Sequence, residues 1–170
     1  MNTRKKIIVN YTVYTLIIVF GILIDQITKW LAVKFLKPID TLPIIEDVLH
    51  FTFLRNKGAA FGMLSDQRWV FMTVSTVAIL ALGIFLYMRK APNMLYAISI
   101  SAIISGGIGN MIDRIALGYV IDFIDVRLID FAIFNVADCL VTVGAFGLIV
   151  LLLIDMVKEA KKSSGTKAEK

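Results

Sequence analysis

The sequence predicts an all-α membrane protein with four transmembrane helices and a small extracytoplasmic β-sheet element. Three observations lead there. Of 170 residues, 58% are hydrophobic and the mean hydropathy is +0.82, well above the level of a soluble domain of this length. Four stretches, residues 7–24, 69–88, 94–112 and 134–154, are about as long as the ~20 mostly apolar residues that cross a hydrocarbon core. Lys and Arg gather at both ends of the chain and in one short link between two of those stretches.

The first three stretches hold no charged residue, and the fourth holds one, Asp138. Residues 7–24 follow Arg4, Lys5 and Lys6 as a signal peptide would. They exceed a usual h-region, however, and run into Asp25-Gln26-Ile27-Thr28-Lys29 with no small-residue cleavage site, so this is expected to be a retained span. The basic tip, the link containing Arg89 and Lys90, and the tail with Lys158, Lys161, Lys162, Lys167 and Lys170 all fall on one side of a four-span bundle. The excess of basic residues in short flanking segments makes that side the cytoplasm, with both termini inside.

The whole chain, residues 1–170, reads as one domain without internal repeats, and the Lys/Ser/Gly/Glu tail over 157–170 reads as disordered. The segments 25–68 and 113–131 face outward. His50-Phe51-Thr52-Phe53-Leu54 and Tyr119-Val120-Ile121-Asp122-Phe123-Ile124 in them have the β-branched and aromatic character of strands. Ser101, Ser105 and Gly109 recur every four residues, a face on which another helix backbone can approach closely.

The net charge of +5 resides in tips and tail, where anionic head groups and topology account for it, so no nucleic-acid partner is expected. Cys139 is the only cysteine, which excludes an intramolecular disulfide and a paired-cysteine metal site, and it is expected to be a small buried apolar side chain. His50, the only histidine, has no ligand-spaced partner and makes a poor metal site. Trp30 and Trp69 are expected as interfacial anchors. No serine has a general base at convincing spacing.

Polar residues in or beside spans are costly and call for an account. They collect at the outer ends: Asp25 and Lys29 after the first span, Asn110, Asp113 and Arg114 at the third, Asn135 and Asp138 opening the fourth, with Asn56 and Asp122 in the outer segments. Asp25 and Lys29, four apart, read as a helical ion pair, and Asp113 beside Arg114 as a local one. Asp138, on the first turn of an apolar span, can act with a second carboxylate as acid and base in peptide hydrolysis. Asp113, Asp122, Asp125 and Asp130 all qualify as that partner on spacing.

Five ordered motifs carry a resemblance. They are Asp25-Gln26-Ile27-Thr28-Lys29, Arg55-Asn56-Lys57-Gly58-Ala59-Ala60-Phe61-Gly62, Gly106-Gly107-Ile108-Gly109-Asn110-Met111-Ile112-Asp113-Arg114, Gly118-Tyr119-Val120-Ile121-Asp122-Phe123 and Phe134-Asn135-Val136-Ala137-Asp138. This series closely resembles the bacterial lipoprotein signal peptidases, also called signal peptidase II. The resemblance implies an aspartyl endopeptidase of the bacterial cytoplasmic membrane, with its active site near the outer leaflet. Its substrates would be diacylglyceryl-modified prolipoproteins, cut just before the lipidated lipobox cysteine. By the same resemblance Asp122 and Asp138 are the catalytic pair, and Asn56, Asn110, Arg114 and Asn135 are supporting or substrate-contacting. Asp25, Lys29 and Asp113 match positions with a structural role. No metal or other cofactor is expected, and the partners are the lipoprotein precursors and membrane lipids, met by a monomer.

Two other classes fit clustered carboxylates in a membrane: a Mg²⁺-dependent lipid head-group transferase and a small transporter or channel subunit using Asp138 as an ion site. A membrane protein with no activity would leave the gathering of polar residues at one depth unexplained. The Gly58-to-Gly62 run is expected to move as a gate over the site.

Overall fold

The computed structural model describes residues 3–58, 68–88 and 90–168. The chain is mostly helical, in the order α1 (Thr3–Leu31), a π-helical turn (Ala32–Leu36), β1 (Thr41–Ile45), β2 (Leu49–Asn56), α2 (Arg68–Tyr87), α3 (Met94–Ala116), β3 (Val120–Asp125), a 3-10 turn (Arg127–Ile129) and α4 (Val136–Ala168). Among the described residues three helices are long and apolar enough to cross a membrane: Asn10–Leu36, Met94–Ala116 and Val136–Lys162. The expected span over 69–88 lies in α2, whose part Met72–Tyr87 is a shorter apolar helix. The gate expected over Gly58 to Gly62 lies outside the described residues from Ala59 onward.

Helix α3 is central and packs on α1, α2 and α4. Asn93 caps its start, accepting from the backbone N–H groups of Leu95 at 2.9 Å and Tyr96 at 3.3 Å, which satisfies two of the donors a helix N-terminus leaves free. Tyr14, Leu86, Ala97, Ile100 and Ile104 form a buried cluster between α1, α2 and α3. The small-residue face of α3 is used for close packing, as its spacing suggests. A Cβ on Gly106 would collide with the Ala137 carbonyl oxygen of α4, and one on Gly109 would lie 2.5 Å from Asp25 Oδ2. These two glycines let α1 and the start of α4 reach the C-terminal half of α3, where the polar residues gather.

Helix α1 does not stop at residue 24. It continues to Leu31, and the π turn that follows buries Ala32 and Leu36 beneath the sheet. Asp25 and Lys29 therefore lie within the helix rather than at its end. The sheet is antiparallel in the order β1-β2-β3. Ile121 and Phe123 of β3 meet Ala32 and Leu36, with Phe51 against Phe123 at 6.1 Å between ring centroids. The strand expectations for 50–54 and 119–124 correspond to β2 and β3. The first strand, Thr41-Leu42-Pro43-Ile44-Ile45, was not among the strand expectations; its proline cannot donate to a ladder and is tolerated because the strand lies at the edge of the sheet.

The stretch 157–170 is not a disordered tail throughout: α4 stays helical to Ala168. Lys158, Glu159, Ala160, Lys161 and Lys162 are good helix formers extending a helix already nucleated in the apolar span. Trp30 and Trp69 are 57% and 67% exposed.

The α3–α4 contact gives a paired prediction. Gly106→Ala forces apart two backbones and is expected to cost about 1–3 kcal/mol. Gly83→Ala in α2 meets nothing within 4 Å and should be neutral or stabilising by up to about 1 kcal/mol. Thermal unfolding of both variants in detergent checks this; equal midpoints would contradict the packing account.

Candidate active site

Helix α4 begins with a reciprocal capping box. Asn135 is the N-cap, and its Oδ1 accepts the backbone N–H of Asp138 at 3.0 Å. Asp138 Oδ2 accepts the backbone N–H of Asn135 at 3.1 Å. The carboxylate that stood out in the sequence thus sits at the helix N-terminus, where the helix dipole favours negative charge. Its other oxygen accepts from Asn110 Nδ2 at 2.8 Å.

Asp122 comes from β3 and is 1% exposed. It accepts from Asn56 Nδ2 at 2.8 Å and from Asn135 Nδ2 at 2.6 Å. Asp122 and Asp138 line the same cavity of about 490 Å³, together with Asn56, Asn110, Arg114 and an apolar wall that includes Phe131, Ile133 and Val143.

Three asparagines share one device. Each has its amide oxygen held by another donor, so that its NH₂ group is left for a carboxylate. Gly58 N–H donates to Asn56 Oδ1 at 2.9 Å. Asp138 N–H holds Asn135 Oδ1. Lys29 Nζ at 2.9 Å and Asn135 Nδ2 at 3.0 Å hold Asn110 Oδ1. An amide can present either end to a neighbour; here the partners decide which end faces the two acids.

Behind this layer lies a buried ionic cluster. Lys29 is 1% exposed and its three ammonium protons have three acceptors: Asp25 Oδ2 at 2.9 Å, Asp113 Oδ2 at 3.1 Å and Asn110 Oδ1 at 2.9 Å. Asp25 Oδ1 also accepts the Ala137 N–H at 2.9 Å, and Asp113 Oδ2 the Ile121 N–H at 3.0 Å. One cluster therefore ties α1, α3, β3 and the start of α4 together.

All nine residues singled out from the sequence lie together at the end of the bundle that carries the sheet. Asp25 and Lys29 form the expected i,i+4 pair. Asp113 also pairs with Lys29 across the helices, at 3.1 Å, a contact that spacing does not announce, and it acts electrostatically on its neighbour Arg114. Arg114 lines the cavity and donates from Nη1 to the Asn110 carbonyl at 3.3 Å. Of the four possible partners for Asp138, Asp113 is engaged in the cluster, and Asp125 accepts from Thr52 Oγ1 and pairs with Arg127. Asp130 ends the 3-10 turn in the left-handed region, and Asp122 shares the cavity. Cys139 is half-buried on the cavity wall rather than simply buried. Gln26 was missed: its Nε2 reaches Asp25, Asp113 and the Gly109 carbonyl. Its place between Asp25 and Lys29 in the first motif was the available signal. No group of three or more His, Cys, Asp or Glu side chains among the described residues is arranged to hold a metal ion.

The pKa of Asp122 is pushed up to about 6, mainly by burial and also by the charge of Asp138, against the opposing influence of Asn56, Asn135 and Lys29. A carboxyl group that titrates near neutrality can either hold or release a proton at physiological pH.

Membrane-capable helices carry two amide-clamped acids in a largely apolar cavity, an arrangement able to do acid–base chemistry. A family model described as signal peptidase (SPase) II matches residues 17–154. The lipoprotein signal peptidase of Brevibacillus brevis is 39% identical over 150 residues, covering 88% of this chain and 98% of its own length. That of Caldanaerobacter subterraneus is 42% identical over 137 residues, covering 81% and 93%. A solved structure of a bacterial membrane enzyme superposes with a TM-score of 0.79 at 36% identity, covering 85% of this chain and 90% of that one. The chain belongs to the signal peptidase II family, the peptidases that remove signal peptides from prolipoproteins. The head-group transferase and transporter readings find no support among these relatives.

The clamp on Asp122 can be tested directly. Asn56 donates to the ionised form, so Asn56→Ala removes a stabiliser of the charged state, and Asp122 should titrate above its value of about 6. The infrared carboxyl band that is absent from Asp122→Asn reports this titration; an unmoved or lowered midpoint would contradict the clamp.

Proposed function

We propose that Asp122 and Asp138 are the catalytic dyad of an aspartyl endopeptidase that cleaves diacylglyceryl-modified prolipoproteins just before the lipidated cysteine. The observation that carries this reading is that the two acids, from β3 and α4, face one cavity with amide donors on both. In this reading Asp138 takes a proton from a water molecule whose oxygen attacks the scissile carbonyl, and Asp122 donates its proton to the carbonyl oxygen. Collapse of the tetrahedral intermediate breaks the C–N bond. The proton gained by Asp138 passes to the departing amine, and the hydroxyl proton returns to Asp122.

Asn56, Asn110 and Asn135 hold the acids, Arg114 in the cavity wall is placed to meet a substrate carbonyl, and Asp25, Lys29 and Asp113 keep the frame. A lipid-anchored peptide is confined to the depth of the site, which supplies much of the positioning the reaction needs. The apolar cavity wall of Phe131, Ile133 and Val143 suits such a substrate. Both acids and all their clamps come from one chain, which supports action as a monomer.

We further propose that α2 is a fourth span, that both termini face the cytoplasm of a bacterial cytoplasmic membrane, and that the site lies near the outer leaflet. The basic residues beside the spans support this orientation. A C-terminal reporter active only in the cytoplasm should be active; activity only of an external reporter would reverse the arrangement.

With purified protein and diacylglyceryl-modified prolipoprotein, Asp122→Asn and Asp138→Asn should each lose on the order of 1,000-fold or more in turnover, and EDTA should leave the wild type unchanged. Because the acid form of Asp122 is needed and its pKa is about 6, wild-type turnover should decline as pH rises past that value. Near-normal turnover in either variant, or loss with EDTA, would overturn the dyad.

A further inference from the structure

The buried ammonium of Lys29 has more partners than an ion pair needs. Asp25 and Asp113 already oppose it with two carboxylates, yet its third proton goes to Asn110 Oδ1 at 2.9 Å. Lys29 does not line the cavity, whereas Asn110 does, and Asn110 Nδ2 donates to Asp138 at 2.8 Å.

We propose that Lys29 is a positioning residue of the reaction, fixing through Asn110 Oδ1 which end of that amide meets Asp138. The inference rests on the dyad reading. A flipped Asn110 would set its oxygen against the Asp138 carboxylate, removing a donor and adding repulsion. Asn135 Nδ2 also reaches Asn110 Oδ1, but it is shared with Asp122 and the Ile121 carbonyl. The ammonium is charged, has one proton for each of its three acceptors, and makes the stronger bond.

Lys29 has a second effect on the pair. The charged groups facing Asp122 are Asp138 from α4, Arg114 from α3 and Lys29 from α1, while β2 contributes the neutral Asn56. Those facing Lys29 are Asp25 and Asp113, both at ion-pair distance, and Asp122. The positive charge of Lys29 favours the ionised form of Asp122, so its removal keeps Asp122 protonated to higher pH. The cluster of one cation and two carboxylates carries a net charge of −1, and Lys29→Met combined with Asp113→Asn restores that net charge without restoring the donor to Asn110.

The experiment compares wild type, Lys29→Met, Lys29→Met/Asp113→Asn, Asp122→Asn and Asp138→Asn as full-length protein in detergent. It measures cleavage of diacylglyceryl-modified prolipoprotein across pH and thermal unfolding. Lys29→Met should lower kcat on the order of 100-fold, the scale of a small misplacement of catalytic groups, and move the alkaline limb to higher pH. The double variant should return the limb toward wild type while kcat stays low. A folded Lys29→Met protein with wild-type kcat and limb would overturn the inference. Recovery of kcat in the double variant would do so too, because charge alone would then explain Lys29. Failure of both Lys29 variants to fold would make Lys29 a residue of the fold and equally overturn it. Turnover surviving in Asp122→Asn or Asp138→Asn would instead remove the dyad reading on which the inference stands.

Discussion

The buried ammonium of Lys29 is the constraint on which the sheet-bearing end of this protein depends. Removing an ammonium from water is expensive and is offset only when every proton finds an acceptor in good geometry. Here the three acceptors come from α1 and α3, and the two carboxylates among them extend to the backbone of β3 and the start of α4. One cation thus sets how four elements meet. Gly109 contributes by having no side chain where Asp25 must lie, and Gly106 by letting Ala137 approach.

From that junction outward, the site is built by deciding which end of each amide points where. Asn56, Asn110 and Asn135 would be interchangeable in shape if rotated, and rotation of any one would replace a donor to an acid with a repelling oxygen. Each is prevented from turning by a partner on its oxygen, either a backbone N–H or a cation. The result is two acids that receive the same kind of hydrogen bond but sit in different fields. Asp138 is at a helix N-terminus, whereas Asp122 is on a buried strand with a pKa near 6. Asymmetry of this kind is what acid–base hydrolysis requires of two like residues.

Much of this was legible in the sequence, for physical reasons that differ by residue. Asp138 stood out because it is the only charge in an apolar stretch, and a charge there demands a partner. Asp25 and Lys29 were readable as a pair because helical periodicity places them together. The proposed partner of Asp138 was not readable from spacing, since Asp113, Asp122, Asp125 and Asp130 all qualify on spacing; the resemblance of the motifs pointed to Asp122. β1 was not among the expected strands; its Pro43 is tolerated because the strand is an edge. The link from Asp113 to Lys29 spans α3 to α1, and no local pattern announces a contact over that separation. Composition also misjudged the chain's end, where charged residues that look disordered continue a helix begun in the apolar span.

The central claim is that Asp122 and Asp138 act as one unit on one bond. A double-mutant cycle on turnover of diacylglyceryl-modified prolipoprotein tests it most directly, using Asp122→Asn, Asp138→Asn and the two together. Groups that act as a unit are strongly non-additive, so the double variant should be no slower than the slower single variant. Losses that multiply would mean that the two acids contribute independently, and the dyad would be contradicted.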